Sequence, residues 1–145
     1  MTSFEAMVVE AKAAADRRAS LVPLSSLRET SRLVPGAISA LSSLRTDDRA
    51  VTVIAEVKRA TATFADLSGV GDVAVLARFY EAGGAACVSV VTEPVRSHGR
   101  LSDLDAVRGA VEVPVLANDV IVTPYQVHEA RAHGATSTRS MRGAS

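Results

Sequence analysis

Glu56 and Lys58 stand two apart at the end of VTVIAEVK (51–58), an apolar run rich in β-branched residues. Residues two apart on a strand share a face, about 7 Å from one another. An acid and an ammonium so placed can hold an anion and move a proton. The ammonium binds or protonates, and the carboxylate orients and balances it. Turned inward, the two are costly unless they pair or meet a ligand. An ion pair at the rim of a sheet satisfies the same pattern without chemistry. Two later apolar runs end alike: Ser89 and Thr92-Glu93 close ACVSVVTEP, and Asn118-Asp119 interrupt VPVLANDVIV. Each alone reads as an ordinary polar strand end or turn. Three in succession describe a pocket for a small polar molecule.

Other reactive side chains do not assemble. His98 lies in a loop, and His128 and His133 are five apart on one helix, poor geometry for a single metal. No Cys/His cluster has zinc spacing, so no metal is expected. Cys87, the only cysteine, reads as buried filler and fits a reducing cytosol. Gly69, Gly71, Gly83 and Gly84 do not make a phosphate-binding fingerprint.

The elements that would position these groups follow from periodicity. Residues 3–18 are expected to be helical, with Thr2 and Glu5 spaced as a capping box. The leucines of 24–45, broken at Pro35-Gly36, give two short helices. Strands are expected at 51–58, at ACVSVVTEP and at VPVLANDVIV. Helices are expected at VAVLARFYEA behind Asp72, from Ser102 with Asp105, and at PYQVHEARAH behind Thr123 with Gln126. RATATFADLSGVG and VRSHGRLS are the loops after the first two strands. Strand–helix alternation with continuous apolar strands predicts an α/β fold on a parallel sheet. In such folds the loops at the carboxyl ends of the strands build the site. From residue 136 the sequence TSTRSMRGAS loses all periodicity and is expected to be a disordered or out-of-frame tail, residues 136–145.

Composition narrows the partners. With 145 residues the chain supports one domain. Lysine plus arginine and aspartate plus glutamate balance at 16 each, and aromatics are only 3%. Neither a basic surface nor a stacking platform for nucleic acid is expected. The start, MTSFEAMVVEAKAAADRR, reads as neither signal peptide nor membrane span, so a cytoplasmic protein without membrane contact is expected.

IAEVKRA, LARFYEAGGAACVSVVTEP and LSDLDAVRGAVEVPVLANDVIVTPYQVHEARAHGA, in that order, resemble the indole-3-glycerol-phosphate synthase family over about residues 51–135. The helices of 1–50 are similar to that family's extension ahead of its barrel. The resemblance implies the amino-terminal portion of a (β/α)8 TIM barrel: a helical extension (1–50), then three βα units (51–135). It implies ring closure of 1-(2-carboxyphenylamino)-1-deoxyribulose 5-phosphate, with loss of carbon dioxide and water, in tryptophan biosynthesis, without cofactor or metal. Lys58 then meets the anthranilate carboxylate and assists proton transfer, and Glu56 orients it. Thr61 and Ser97 fall at substrate-binding positions. Where the family has Ser-Pro-Ser, this chain has Thr61-Ala62-Thr63; where it has a ring-stacking phenylalanine, Ser97; where it has Lys-Asp-Phe, Asn118-Asp119-Val120. That lysine is the family's general acid, and an asparagine has no acidic proton to give. Three of eight strands are expected here, a truncated form with little or no turnover. The open sheet edge is expected to favour self-association. The alternative is a non-catalytic α/β remnant that oligomerises or binds a small ligand.

Overall fold

A computed structural model of the chain describes residues 3–45, 51–61 and 71–139. The amino-terminal part forms α1 (Ser3–Leu21), α2 (Leu24–Leu33) and α3 (Ala40–Leu44). Then β1 (Ile54–Val57), α4 (Val73–Ala82), β2 (Cys87–Val91), α5 (Leu101–Arg108), β3 (Val115–Asn118), α6 (Pro124–Ala132) and β4 (Ser137–Arg139) alternate. The four strands make one parallel sheet in the order β1-β2-β3-β4. Thr2, Asp47, Asp48, most of the loop after β1 (62–70) and the last six residues of the expected tail lie outside the described residues.

The register divides the side chains between two faces. Ile54 aligns with Cys87, Glu56 with Ser89, and Asn118 with Val91. On the opposite face Val57, Val88, Val90, Val115 and Ala117 pack with Val73, Ala77, Leu104, Val107 and Ala130 of α4, α5 and α6. This is the main core, and it explains why the strands read as continuous apolar runs. The other face is partly open: Ile54 remains 47% exposed, and Glu56 is exposed beside it. Two side chains tie the units together. Glu81 accepts the Glu112 and Val113 N–H groups (2.8 and 2.9 Å), fastening α4 to the turn before β3. Tyr80 donates its hydroxyl to the Glu56 carbonyl (3.3 Å).

Local signals account for most helix ends. Asp72 accepts from the Ala74 N–H (2.8 Å), and Thr123 with Gln126 forms a complete capping box. Beyond the last turns of α4 and α6 stand Gly84 (φ 92°) and Gly134 (φ 85°), in the left-handed conformation that glycine adopts without strain. The start of α5 differs from expectation. Ser102 lies inside the helix, and Arg100 holds the N-cap position with no side-chain hydrogen bond. Beginning at Leu101 turns Leu101, Leu104 and Val107 onto the core. The same start brings Asp103 to Arg59, whose guanidinium donates to both carboxylate oxygens (2.6 and 2.7 Å).

The tail expectation also needs correction. Ser137–Arg139 form a fourth strand, paired with Leu116–Asn118 of β3. The Thr136 N–H and hydroxyl both donate to the Val115 carbonyl (2.8 and 3.0 Å). Ladder bonds come from the backbone and do not require apolar side chains. On an edge strand, polar residues such as Ser137 and Thr138 keep contact with water and need no buried partner.

The amino-terminal helices dock on α6. Ala15, Leu27 and Tyr125 form a second small core. Arg18 grips Glu129 through two bonds (2.7 and 2.8 Å), the Tyr125 hydroxyl donates to the Val22 carbonyl (3.1 Å), and Arg131 reaches the carbonyls of Val34 and Pro35. Bonding to Glu129 raises the Arg18 pKa against the opposing effect of burial.

Candidate active site

The carboxyl ends of β1, β2 and β3 meet in one mouth. Strands two apart in a sheet lie roughly 10 Å from each other. Glu56 on β1 and Asn118 on β3 nevertheless touch: Asn118 Nδ2 donates to Glu56 Oε2 at 2.9 Å. The strand between them carries Ser89 level with Glu56, and its small side chain leaves room for the longer ones to close over it. Lys58, just beyond β1, lines a cavity of about 190 Å³ with Ser97 and Asn118. Its ammonium has no hydrogen bond or ion pair among the described residues. Lys58, Ser97 and Asn118 thus surround one space together with the acids Glu93 and Asp119, and Glu56 joins them through Asn118. Thr61, the last described residue before 62–70, is not among those lining the cavity.

Neighbouring acids hold the mouth in shape. Asp119 accepts from the Thr92 hydroxyl (2.9 Å) and from the Val120 N–H (2.7 Å), joining the ends of β2 and β3. Burial pushes its carboxyl pKa up, while those two bonds pull the other way. Glu93 accepts three N–H groups, from Val95, Arg96 and Ser97 (2.9, 2.8 and 3.0 Å), and so folds the loop that presents Ser97. Gly99 closes that loop. A side chain there would meet the Val91 carbonyl and lie 2.6 Å from the Thr92 carbonyl carbon. Sequence reasoning marked Glu93 only as a polar strand end. The usable signal was an acid followed by proline and three N–H donors, a turn-forming arrangement.

Met7 and Arg96 also line the cavity, and nothing in their local sequence marks them. Met7 comes from α1, far away along the chain, so its place is set by docking alone. Among the described residues no group of three His, Cys, Asp or Glu is gathered for a metal. Cys87 is fully buried and its thiol pKa is raised by that burial, so it stays protonated and inert. His133 Nδ1 sits 2.8 Å from Asp105 at the end of α6, away from the mouth. No helix among the described residues is long and apolar enough to cross a membrane.

The family model for indole-3-glycerol phosphate synthase matches residues 4–138. Relatives of that name are similar in sequence. The one from Beutenbergia cavernae is 50% identical over 135 residues, which is 93% of this chain and 50% of the relative. The one from Mycobacterium avium (strain 104) is 49% identical over 118 residues, 81% of this chain and 43% of the relative. The one from Mycolicibacterium smegmatis is 43% identical over 134 residues, 92% of this chain and 48% of the relative. The chain therefore spans about half the length of the curated relatives it matches. An acid, a lysine and an asparagine converge at the carboxyl ends of a parallel sheet, and the family match runs through all of them: the chain belongs to the indole-3-glycerol phosphate synthase family.

Proposed function

We propose that this chain carries the first part of the site that closes the indole ring of 1-(2-carboxyphenylamino)-1-deoxyribulose 5-phosphate. In this role Lys58 receives the anthranilate carboxylate, and Glu56 and Asn118 together set the floor beside it. The observation that carries the proposal is the 2.9 Å bond from Asn118 to Glu56 across β2, with Lys58, which has no ion-pair partner among the described residues, in the same mouth. An ammonium beside an open cavity, with no partner among the described residues, is poised for an anion.

Ring closure also needs a proton donor, and Asn118 offers none. The described residues supply four strands, whereas a closed barrel of this type has eight. Little or no turnover is therefore expected from this chain alone. Incubating folded, soluble protein with the substrate is expected to give no rise in indole fluorescence. A rise in proportion to protein concentration would contradict that expectation.

Asn118 also favours a second reading, a small-ligand-binding module without chemistry. It keeps the carboxylate grip of Lys58 but loses the acid. The two readings separate on whether a lysine at position 118 brings turnover, as set out in the Discussion.

A further inference from the structure

Helix α1 approaches the mouth from outside the sheet. Met7, Glu10, Ala11, Ala14 and Arg18 fall at i, i+3, i+4, i+7 and i+11, one stripe of the helix, and all five face the loops after β2 and β3. The stripe is pinned at two points. Arg18 is bound through two bonds to Glu129, whose side chain is only 7% exposed, a firm anchor. Eight residues earlier, about 12 Å along the axis, Glu10 accepts from Arg96 at 2.9 Å. That second pair is half-exposed, at 49% and 41%, and so is easily broken. Arg96 stands on the turn that Glu93 folds, so its position is fixed by the same loop that presents Ser97. One helical turn before Glu10, Met7 reaches the cavity of Lys58, Ser97 and Asn118.

We propose that Glu10 and Arg96 are positioning residues: a latch that holds the first half of α1 against the mouth and so sets Met7 as a wall of the ligand cavity. The firm pin at Arg18 keeps the helix on the protein, and the weak pin at Glu10 lets its leading half open and close. Met7 suits a wall that moves, because its flexible thioether packs on aromatic rings in several geometries. Closing the latch excludes water from the cavity, which strengthens the hold of Lys58 on a carboxylate.

Two measurements on the full chain test the latch. Hydrogen exchange of the Met7–Ala11 amides is expected to quicken about two- to fivefold in Glu10→Gln and in Arg96→Gln, as for loss of an exposed ion pair. The double variant should be no faster than either single one, Arg96→Lys should exchange as the wild type does, and the amides of 15–20 should be unaffected. Fluorescence titration with anthranilate is expected to show a parallel two- to fivefold weakening in both single variants, again with recovery in Arg96→Lys. Unchanged exchange in either single variant, or additive effects in the double, would overturn the latch. The titration rests on the proposed function, whereas the exchange measurement does not. Absence of anthranilate binding to the wild type would refute the carboxylate site at Lys58 and leave the exchange result to decide the latch.

Discussion

Asn118→Lys is expected to raise ring-closing turnover by about 100- to 10,000-fold, the usual worth of a positioned general acid, once the later strands of the barrel are supplied as a second polypeptide. The amide of Asn118 already reaches Glu56 at 2.9 Å. A lysine there places an ammonium over the same carboxylate and beside Lys58, at the lip of the cavity. A neighbouring positive charge disfavours the protonated form of an introduced ammonium, which makes the new lysine a better proton donor. An asparagine can orient a carbonyl by hydrogen bonding but gives up no proton at neutral pH. The test mixes this chain, with Asn118 or with lysine, with the carboxyl-terminal half of a family relative, and follows indole fluorescence from substrate. Equal traces from the two mixtures would favour the module that binds without chemistry.

The second large effect concerns stability. Leu104→Ala is expected to cost about 2–5 kcal/mol, the range for emptying a well-packed leucine site. Leu104 is 0% exposed at the centre of α5, in the core cluster with Val88, Val90 and Val115 of β2 and β3. Strand backbones on one side and α4 and α6 on the other prevent the space from collapsing. A domain of this size holds about 5–15 kcal/mol in total, so the variant should lose a large part of its margin. Urea unfolding is expected to show a lower midpoint at an unchanged slope. A shift worth less than about 1 kcal/mol would mean that α5 packs more loosely than the buried surface indicates.

The elements most legible in the sequence were those whose signals are local. The β-branched runs, Asp72, Thr123 with Gln126, and the glycines behind α4 and α6 each act within a few residues of where they stand. The candidate site was legible in part for the same reason. Glu56 and Asn118 sit at the ends of recognisable strands, and the alternation of a strand puts Glu56 on the site face without further information, whereas Ser97 lies on the loop after β2 and was marked only by the family resemblance. What remained hidden depends on partners distant in sequence. Ser137–Arg139 pairs because β3 offers an unpaired edge, which no property of Ser, Thr or Arg announces. The start of α5 goes with a pairing of Asp103 to Arg59, 44 residues away, which no local signal announces. Met7 becomes a cavity wall only because α1 docks through partners far along the chain, Glu129 for Arg18 and Arg96 for Glu10. Glu93 is the intermediate case: its three acceptor bonds are local, but an acid after a strand has many other uses.

The most direct test of a carboxylate site at the mouth is a fluorescence titration of anthranilate into the wild-type chain and into Lys58→Ala. Losing one charge-assisted bond to a carboxylate is worth about 1.5–3 kcal/mol, so the variant should bind roughly 10- to 100-fold more weakly while keeping the same circular dichroism spectrum. Wild-type binding as weak as that of Lys58→Ala would contradict the assignment of this mouth as the anthranilate end of the site.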